Sequence, residues 1–391
     1  MNYKIDFSES PLIFHIDVNS AFLSWTAVDL LKKNKNNIDL RTIPSAIGGD
    51  VNSRHGIISA RSIPAKKYNI QSGEAVVNAM QKCPSLVVVP TNFKLYRHYS
   101  KLFIDTLLLY TPNVQQASID EAYCDFSDLY ETYKDLKYKS YTFPLSLAHE
   151  IKDSIFSKYG FTVNVGISTN KLLAKMASDF TKPNRVHTLF KDEIPTKMWP
   201  LPINELHGCG KSTSMKLTSL GIKTIGDAAQ TDLNILCSVL GDKHGKYIYY
   251  SSNGINTSTV SSKKRIAKSY SSERTMPSNL TADNYDSDIT AIIDILSTNI
   301  SKRMIKDNAF ASTIGITLKT NNFKTHTTQT SLVSSTNDCN TIKSIALSLI
   351  TNELLGENGI FMNGESIRLV GIFASNLDNG EYRQLSLFDK F

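Results

Sequence analysis

Residues 114–128 read VQQASIDEAYCDFSD, and the tetrapeptide Ser118-Ile119-Asp120-Glu121 within them decides how the rest of the chain is read. Val114 to Ile119 and the short aromatic-rich run Ala122 to Phe126 predict a hairpin that turns where the two carboxylates adjoin. Neighbouring strand residues point to opposite faces, so a turn or bulge is needed to bring both acids to one point. Two acids held together repel unless a cation neutralises them. Oxygen-only ligands suit Mg²⁺, which also accepts substrate phosphates as partners. Taken alone, the tetrapeptide reads as an exposed turn with two solvated acids. A third acid upstream and a lysine downstream change that reading.

The third acid is Asp17. Pro11 to Ile16 is an apolar run that predicts a buried strand delivering this carboxylate at its C-terminal end. Asn19 or Ser20 is expected to cap a helix through Phe22, Trp25, Val28 and Leu31. Phe93 to Tyr110 and Leu145 to Tyr159 have helical periodicity, and Phe161 to Ile167 reads as a strand. Strand, helix, two strands, helix, strand is the order of a ferredoxin-like layer. That order puts Asp17 beside the Asp120–Glu121 turn at one sheet edge. Such a trio suits two cations about 3.5–4 Å apart, one activating an attacking oxygen and one steadying the leaving oxygen. Asp17 and Asp120 are the bridging candidates, Glu121 completes the set, and the Val18 carbonyl is a further oxygen. The lysine is Lys182, after the helix Asn170 to Phe180, placed to neutralise a triphosphate.

The chain has 391 residues, 41% hydrophobic, which is ample for several cores and excludes a disordered protein. A net charge of +7 is a mild basic excess compatible with nucleic acid. Five scattered cysteines without metal-ligand spacing predict reduced thiols in a cytosolic protein. The N-terminus reads as neither signal peptide nor anchor, and no membrane contact is expected.

Other stretches complete the outline. Residues 128–144 are polar and tyrosine-rich and predict a surface excursion. Leu86 to Val89 predicts a strand, and LHGCGKSTSMKLTSLGIKTIGDAA predicts helix, Gly-x-Gly turn, helix. In that turn Gly208 and Gly210 allow close backbone approach, and the helix start at Lys211 offers N–H groups to a phosphate; an ordinary αα-hairpin is the equal alternative from the local sequence. Residues 251–275 read as a Ser/Asn-rich linker entering a basic run of Lys263, Lys264, Arg265 and Lys268. Beyond it, helices near 284–306 and 340–355 and Thr-rich strands near 312–319, 328–334 and 366–374 predict an antiparallel sheet with one wet face.

The motifs IFHIDVNSAFLSW, GGDVNSRHGIISARSIPAKKYNI, SIDEAYCDF, VNVGISTNKLLAKMASDFTKPN and GCGK stand in the order found in Y-family translesion DNA polymerases, and resemble the bacterial DNA polymerase IV group most. The likeness covers residues 11–256 by motif and the remainder by size and place. It implies an α+β right-hand polymerase: a ferredoxin-like palm (1–19 and 85–190), small fingers (20–84), and a helical thumb with a helix-hairpin-helix (191–257). A linker (258–265), an α/β little finger (266–376) and a flexible tail (377–391) would follow. It also implies template-directed synthesis past lesions, two Mg²⁺ ions, no proofreading exonuclease, and a monomer acting on primer-template DNA and deoxynucleoside triphosphates. Phe22 matches the family's steric gate against a ribose 2′-OH. Ser59, Arg61 and Lys66 match the fingers segment that touches the triphosphate. The family's usual tyrosine and arginine there fall at Ile63 and Lys66, and Asn19 stands where an acid is common. The tail residues Gln384, Leu385, Leu387 and Phe388 resemble the peptide that docks on a bacterial sliding clamp. Gly48-Gly49-Asp50 resembles a diguanylate cyclase signature, but it precedes a basic segment and the hairpin carries Asp-Glu instead. The competing reading is a non-catalytic descendant that only binds primer ends and the clamp; an intact acid trio argues against it.

Overall fold

The computed structural model describes residues 6–50, 56–263, 266–357 and 359–378. The described residues form two compact units that part between Lys263 and Lys264.

In the first unit, β1 (Ile13–Val18) is buried along its whole length. Helix α1 (Ala21–Lys33) follows; Ser20 stands at its N-cap in a left-handed conformation (φ 47°), but no side chain caps the helix. The expected cap is therefore absent: Ser20 is left-handed where a capping residue is ordinarily extended, and the Asn19 amide is bonded to Asn164 and Asn184. Strands β2 (Ser45–Gly48) and β3 (Ile58–Arg61), the short helices α2 (Ile63–Lys66) and α3 (Val76–Lys82), and β4 (Val87–Pro90) come next. They make a three-stranded sheet ordered β3-β2-β4, over a small core of Ala46, Ile58, Ala65, Ile70, Val76 and Ala79. Strand β4 thus pairs with β2 and lies outside the large sheet with which its sequence position had grouped it.

Helix α4 (Phe93–Leu107) starts where the Asn92 side chain accepts from the Leu95 N–H. The hairpin follows as β5 (Val114–Gln116) and β6 (Glu121–Asp125), with Ser118 to Asp120 in the turn. The stretch after it is not a free surface excursion. Tyr130 and Tyr133, on the short helix α5 (Tyr130–Tyr133), pack against the core, and the Tyr133 hydroxyl donates to the Tyr110 carbonyl at 2.8 Å. Tyrosine buries its ring while its hydroxyl finds a partner, so a polar-looking stretch can still close a core.

Helix α6 (Leu145–Tyr159), β7 (Val163–Ser168), α7 (Lys171–Asp179) and β8 (Val186–Thr188) complete a five-stranded sheet ordered β5-β6-β1-β7-β8. Strand β1 is antiparallel to both β6 and β7. Alternation divides the sheet's faces. Phe14, Ile16, Val18, Ala122, Cys124, Val165 and Ile167 share a core with α4 and α6. His15 and Asp17 alternate with them and face the side on which α7 packs. A Cβ on Gly166 would come within 2.0 Å of the Ala174 carbonyl oxygen, so glycine there is what lets α7 lie against β7.

Four helices follow: α8 (Lys211–Ser219), α9 (Ile225–Gln230), α10 (Leu233–Leu240) and α11 (Asp242–Ser252). Their core of Leu206, Leu217, Ile225, Leu236 and Ile248 is continuous with Leu172, Leu173 and Met176 of α7. The helix expected before the Gly-x-Gly turn is only a 3₁₀ turn at Ile203–Glu205, entered from Pro202.

In the second unit, β9 (Ser269–Leu280), α12 (Tyr285–Lys306), β10 (Phe310–Thr320), β11 (Thr325–Thr336), α13 (Cys339–Leu355) and β12 (Ile367–Asp378) form a sheet ordered β11-β10-β12-β9, antiparallel throughout. Strand β9 overlaps the stretch read as a linker. It is an edge strand in which only Tyr270, Met276 and Leu280 are buried, so its serine-rich sequence lacks a strand's apolar signal. Among the described residues no helix is long and apolar enough to cross a membrane.

Candidate active site

Asp17 lies directly across the β1–β6 ladder from Glu121, and Asp120 closes the turn one residue earlier. The Val18 N–H donates to the Asp120 carbonyl at 3.0 Å and ties the turn to the end of β1. The Ser118 hydroxyl donates to the Asp120 carboxylate at 2.6 Å. Asp17, Val18, Phe22, Ser59, Arg61, Lys66, Asp120, Glu121 and Lys182 all line one cavity of about 350 Å³. Every metal and nucleotide residue anticipated from the sequence is therefore at one place. The N-terminal turn of α1 opens on the same cavity and carries no acid, which leaves its positive end free to face an anion.

Two lysines occupy the acid cluster. Lys175 on α7 donates to Glu121 at 2.5 Å and lies 3.5 Å from Asp17 and 3.2 Å from Asp179. Lys182 donates to Asp17 at 2.7 Å and pairs with Asp179 at 2.8 Å. Burial pulls the Lys175 ammonium down, but the hydrogen bond to Glu121 and the charges of Asp179, Glu121 and Asp17 outweigh it and hold the group above the ordinary lysine value. At Asp17 burial wins over both lysines and raises the carboxyl above its usual range. His15, fully buried behind Asp17, is held well below the ordinary histidine value by burial and by Lys175 and Lys182. It stays neutral, with Nδ1 2.8 Å from the Ser178 hydroxyl.

With the ammonium groups between the acids, no trio of His, Cys, Asp or Glu among the described residues converges on one point as metal ligands. The donor set nevertheless fits a hard divalent cation, since every candidate ligand is an oxygen and charge repulsion between the acids favours one. Asp17, Asp120, Glu121 and the Val18 carbonyl would hold such ions.

Sequence reasoning missed Lys175, which sits on the apolar side of its helix where a lysine is not expected to be buried. The signal was its i,i+4 spacing to Asp179. It also missed Tyr96, on which Phe22 stacks with ring centroids 4.3 Å apart, and Ser72, which holds Arg61 at 3.1 Å. Ile63 is 47% exposed and does not line the cavity, so it replaces no contact there.

Further from the cavity, Gly208 has φ +86° and a Cβ on it would meet the Tyr247 ring at 2.5 Å, so its bareness serves the packing of α11. Gly210 has open space before it and is the N-cap of α8, where Lys211 is exposed. Lys263 and Lys268 are exposed, whereas Lys264, Arg265, Gln384, Leu385, Leu387 and Phe388 lie outside the described residues.

The chain resembles known proteins along most of its length. Residues 16–179 match the impB/mucB/samB family, residues 267–387 its C-terminal domain, and residues 204–256 the thumb domain of DNA polymerase-iota. The chain is 41% identical over 384 residues to DNA polymerase IV of Clostridium acetobutylicum, covering 97% of this chain and 91% of that protein. It is 33% identical to DNA polymerase IV 1 of Bacillus subtilis, covering 97% and 86%. A chimeric Y-family DNA polymerase superposes with a TM-score of 0.77 at 23% identity, over 93% of this chain and 98% of that one. The fold is that of a Y-family polymerase, and the chain belongs to the impB/mucB/samB family.

Proposed function

We propose that the chain is a template-directed DNA polymerase that carries out translesion synthesis in DNA damage tolerance, with Mg²⁺ as the metal and two ions per site. The observation that carries the reading is Asp17 opposite Glu121, with Asp120 beside them, in one cavity with Lys182, Arg61 and Phe22. Relatives that match it over 97% of its length are named DNA polymerase IV. Held by Asp17, Asp120, Glu121 and the Val18 carbonyl, two cations would supply activation of the primer 3′-OH and charge stabilisation for the departing pyrophosphate.

The chain's own groups do the rest. Lys182, Arg61 and Lys66 bind the triphosphate, helped by the open end of α1. Phe22, backed by Tyr96, lines the cavity with a ring that excludes a 2′-OH. Exposed Lys211, Lys263 and Lys268 meet the phosphate backbone with Lys264 and Arg265, and Gly208 and Gly210 shape the turn before α8. Gln384, Leu385, Leu387 and Phe388 dock on a bacterial sliding clamp. The protein acts as a monomer, and its unpaired cysteines suit a reducing cytoplasm.

Primer extension with Mg²⁺ on plain and lesion-bearing templates tests the reading. Template-dependent addition supports it. Binding of primer-template without any extension would instead support a non-catalytic descendant.

A further inference from the structure

Two buried amides hold the backbone on both sides of Lys182. Asn164 is fully buried on β7, directly opposite Asp17 in the β1–β7 ladder. Its Nδ2 donates to the Ser178 carbonyl at 3.0 Å and to the Thr181 carbonyl at 2.7 Å. Its Oδ1 accepts from the Arg185 N–H at 3.1 Å and from Asn19 Nδ2 at 3.1 Å. Asn19, 7% exposed, in turn accepts from the Asn184 N–H at 2.9 Å.

The amide orientations follow from these partners. Backbone N–H groups at Asn184 and Arg185 require oxygens, and carbonyls at Ser178 and Thr181 require NH₂ groups. Asn164 thereby spends all four of its hydrogen-bonding positions. The segment Thr181 to Arg185 is gripped just before and just after Lys182, whose ammonium reaches Asp17.

We infer that Asn19 and Asn164 are positioning residues for Lys182, setting where its ammonium meets the triphosphate of the incoming nucleotide. The inference rests on the reading of Lys182 as the triphosphate-binding lysine. It makes a chemical distinction at position 19. A carboxylate there keeps the shape and can still accept from Asn184. It cannot donate to Asn164 Oδ1, and it would set two acceptors face to face in a buried place.

The test uses the full chain and four proteins: wild type, Asn19→Asp, Asn164→Ala and Lys182→Ala. Asn19→Ala serves if the aspartate variant does not fold by thermal melting. Nucleotide affinity is read without chemistry, by titrating dATP into the complex with a dideoxy-terminated primer-template in Ca²⁺. Steady-state single-nucleotide addition in Mg²⁺ then gives KM and kcat separately. The expected result is weaker nucleotide binding by about tenfold for Asn19→Asp and Asn164→Ala. KM should rise in step, and primer-template affinity should stay as in wild type. If Lys182→Ala weakens nucleotide binding but both asparagine variants bind as wild type, the positioning role is wrong while the reading of Lys182 stands. If Lys182→Ala itself binds nucleotide normally, that reading falls and the inference falls with it. A drop in kcat with unchanged nucleotide affinity would likewise overturn the inference.

Discussion

Lys175 holds Glu121 at 2.5 Å from a helix that begins fifty residues after Glu121, at Lys171, and it does so while 8% exposed. A buried ammonium among three carboxylates is a resident counter-ion. It offsets the repulsion that would otherwise separate Asp17 and Glu121, and it competes with any divalent cation for the same oxygens.

Lys175→Met should therefore destabilise the protein without added metal. Removing one partner of a buried pair leaves an uncompensated charge and costs roughly 3 kcal/mol. Added Mg²⁺ should restore part of the loss, so thermal melts with and without Mg²⁺ should differ more for the variant than for wild type. Identical melting of variant and wild type would show that Lys175 neutralises nothing.

Asp120 is half-buried and its carboxylate bonds locally to Ser118. Asp120→Ala should abolish primer extension while changing stability by no more than about 1 kcal/mol. Melting and primer-template binding check the second half; substantial extension by the folded variant would remove Asp120 from the proposed metal set.

Phe22 stacks nearly parallel on Tyr96, at an interplanar angle of 8°, which fixes the ring against the cavity. Phe22→Ala should lower the ratio of deoxynucleotide to ribonucleotide incorporation by an order of magnitude or more, a loss of about 1.4 kcal/mol of discrimination per tenfold. Tyr96→Ala should do the same more weakly, by loosening the ring. A constant ratio in both would leave Phe22 a packing residue only.

Gly166→Ala puts a methyl group onto the Ala174 carbonyl. Overpacking of this kind costs about 1–3 kcal/mol, and the only relief is to move α7. Because α7 carries Lys175 and leads into Lys182, the variant should lose nucleotide affinity as well as stability. Nucleotide titration at a temperature where the variant is folded separates the two effects.

Deletion of residues 384–391 should leave distributive extension of short primers unchanged and remove stimulation by a loaded bacterial sliding clamp, since tethering makes rebinding intramolecular. Equal stimulation of both proteins would place the clamp contact elsewhere.

Short-range order was legible along the chain. An apolar run ending in Asp17, a turn carrying Asp120 and Glu121, and the helical periods between them are contained in windows of under twenty residues. The ferredoxin-like order of elements brought these acids to one edge. The serine-rich β9 was not legible, because an edge strand is made by the partner it pairs with. Nor was the exit of β4 to a second sheet, since strand pairing leaves no mark on a four-residue run. Within the site, Lys175, Asn164 and Tyr96 read as an ordinary helix lysine, a strand asparagine and a core tyrosine. Their roles depend on partners 54, 17 and 74 residues away, Glu121, Thr181 and Phe22 respectively for the three. By itself the sequence determined which carboxylates gather and in what fold. Only the tertiary structure decided what neutralises them and what aims Lys182, because burial and hydrogen-bond partnership are properties of a neighbourhood that the chain assembles from distant parts.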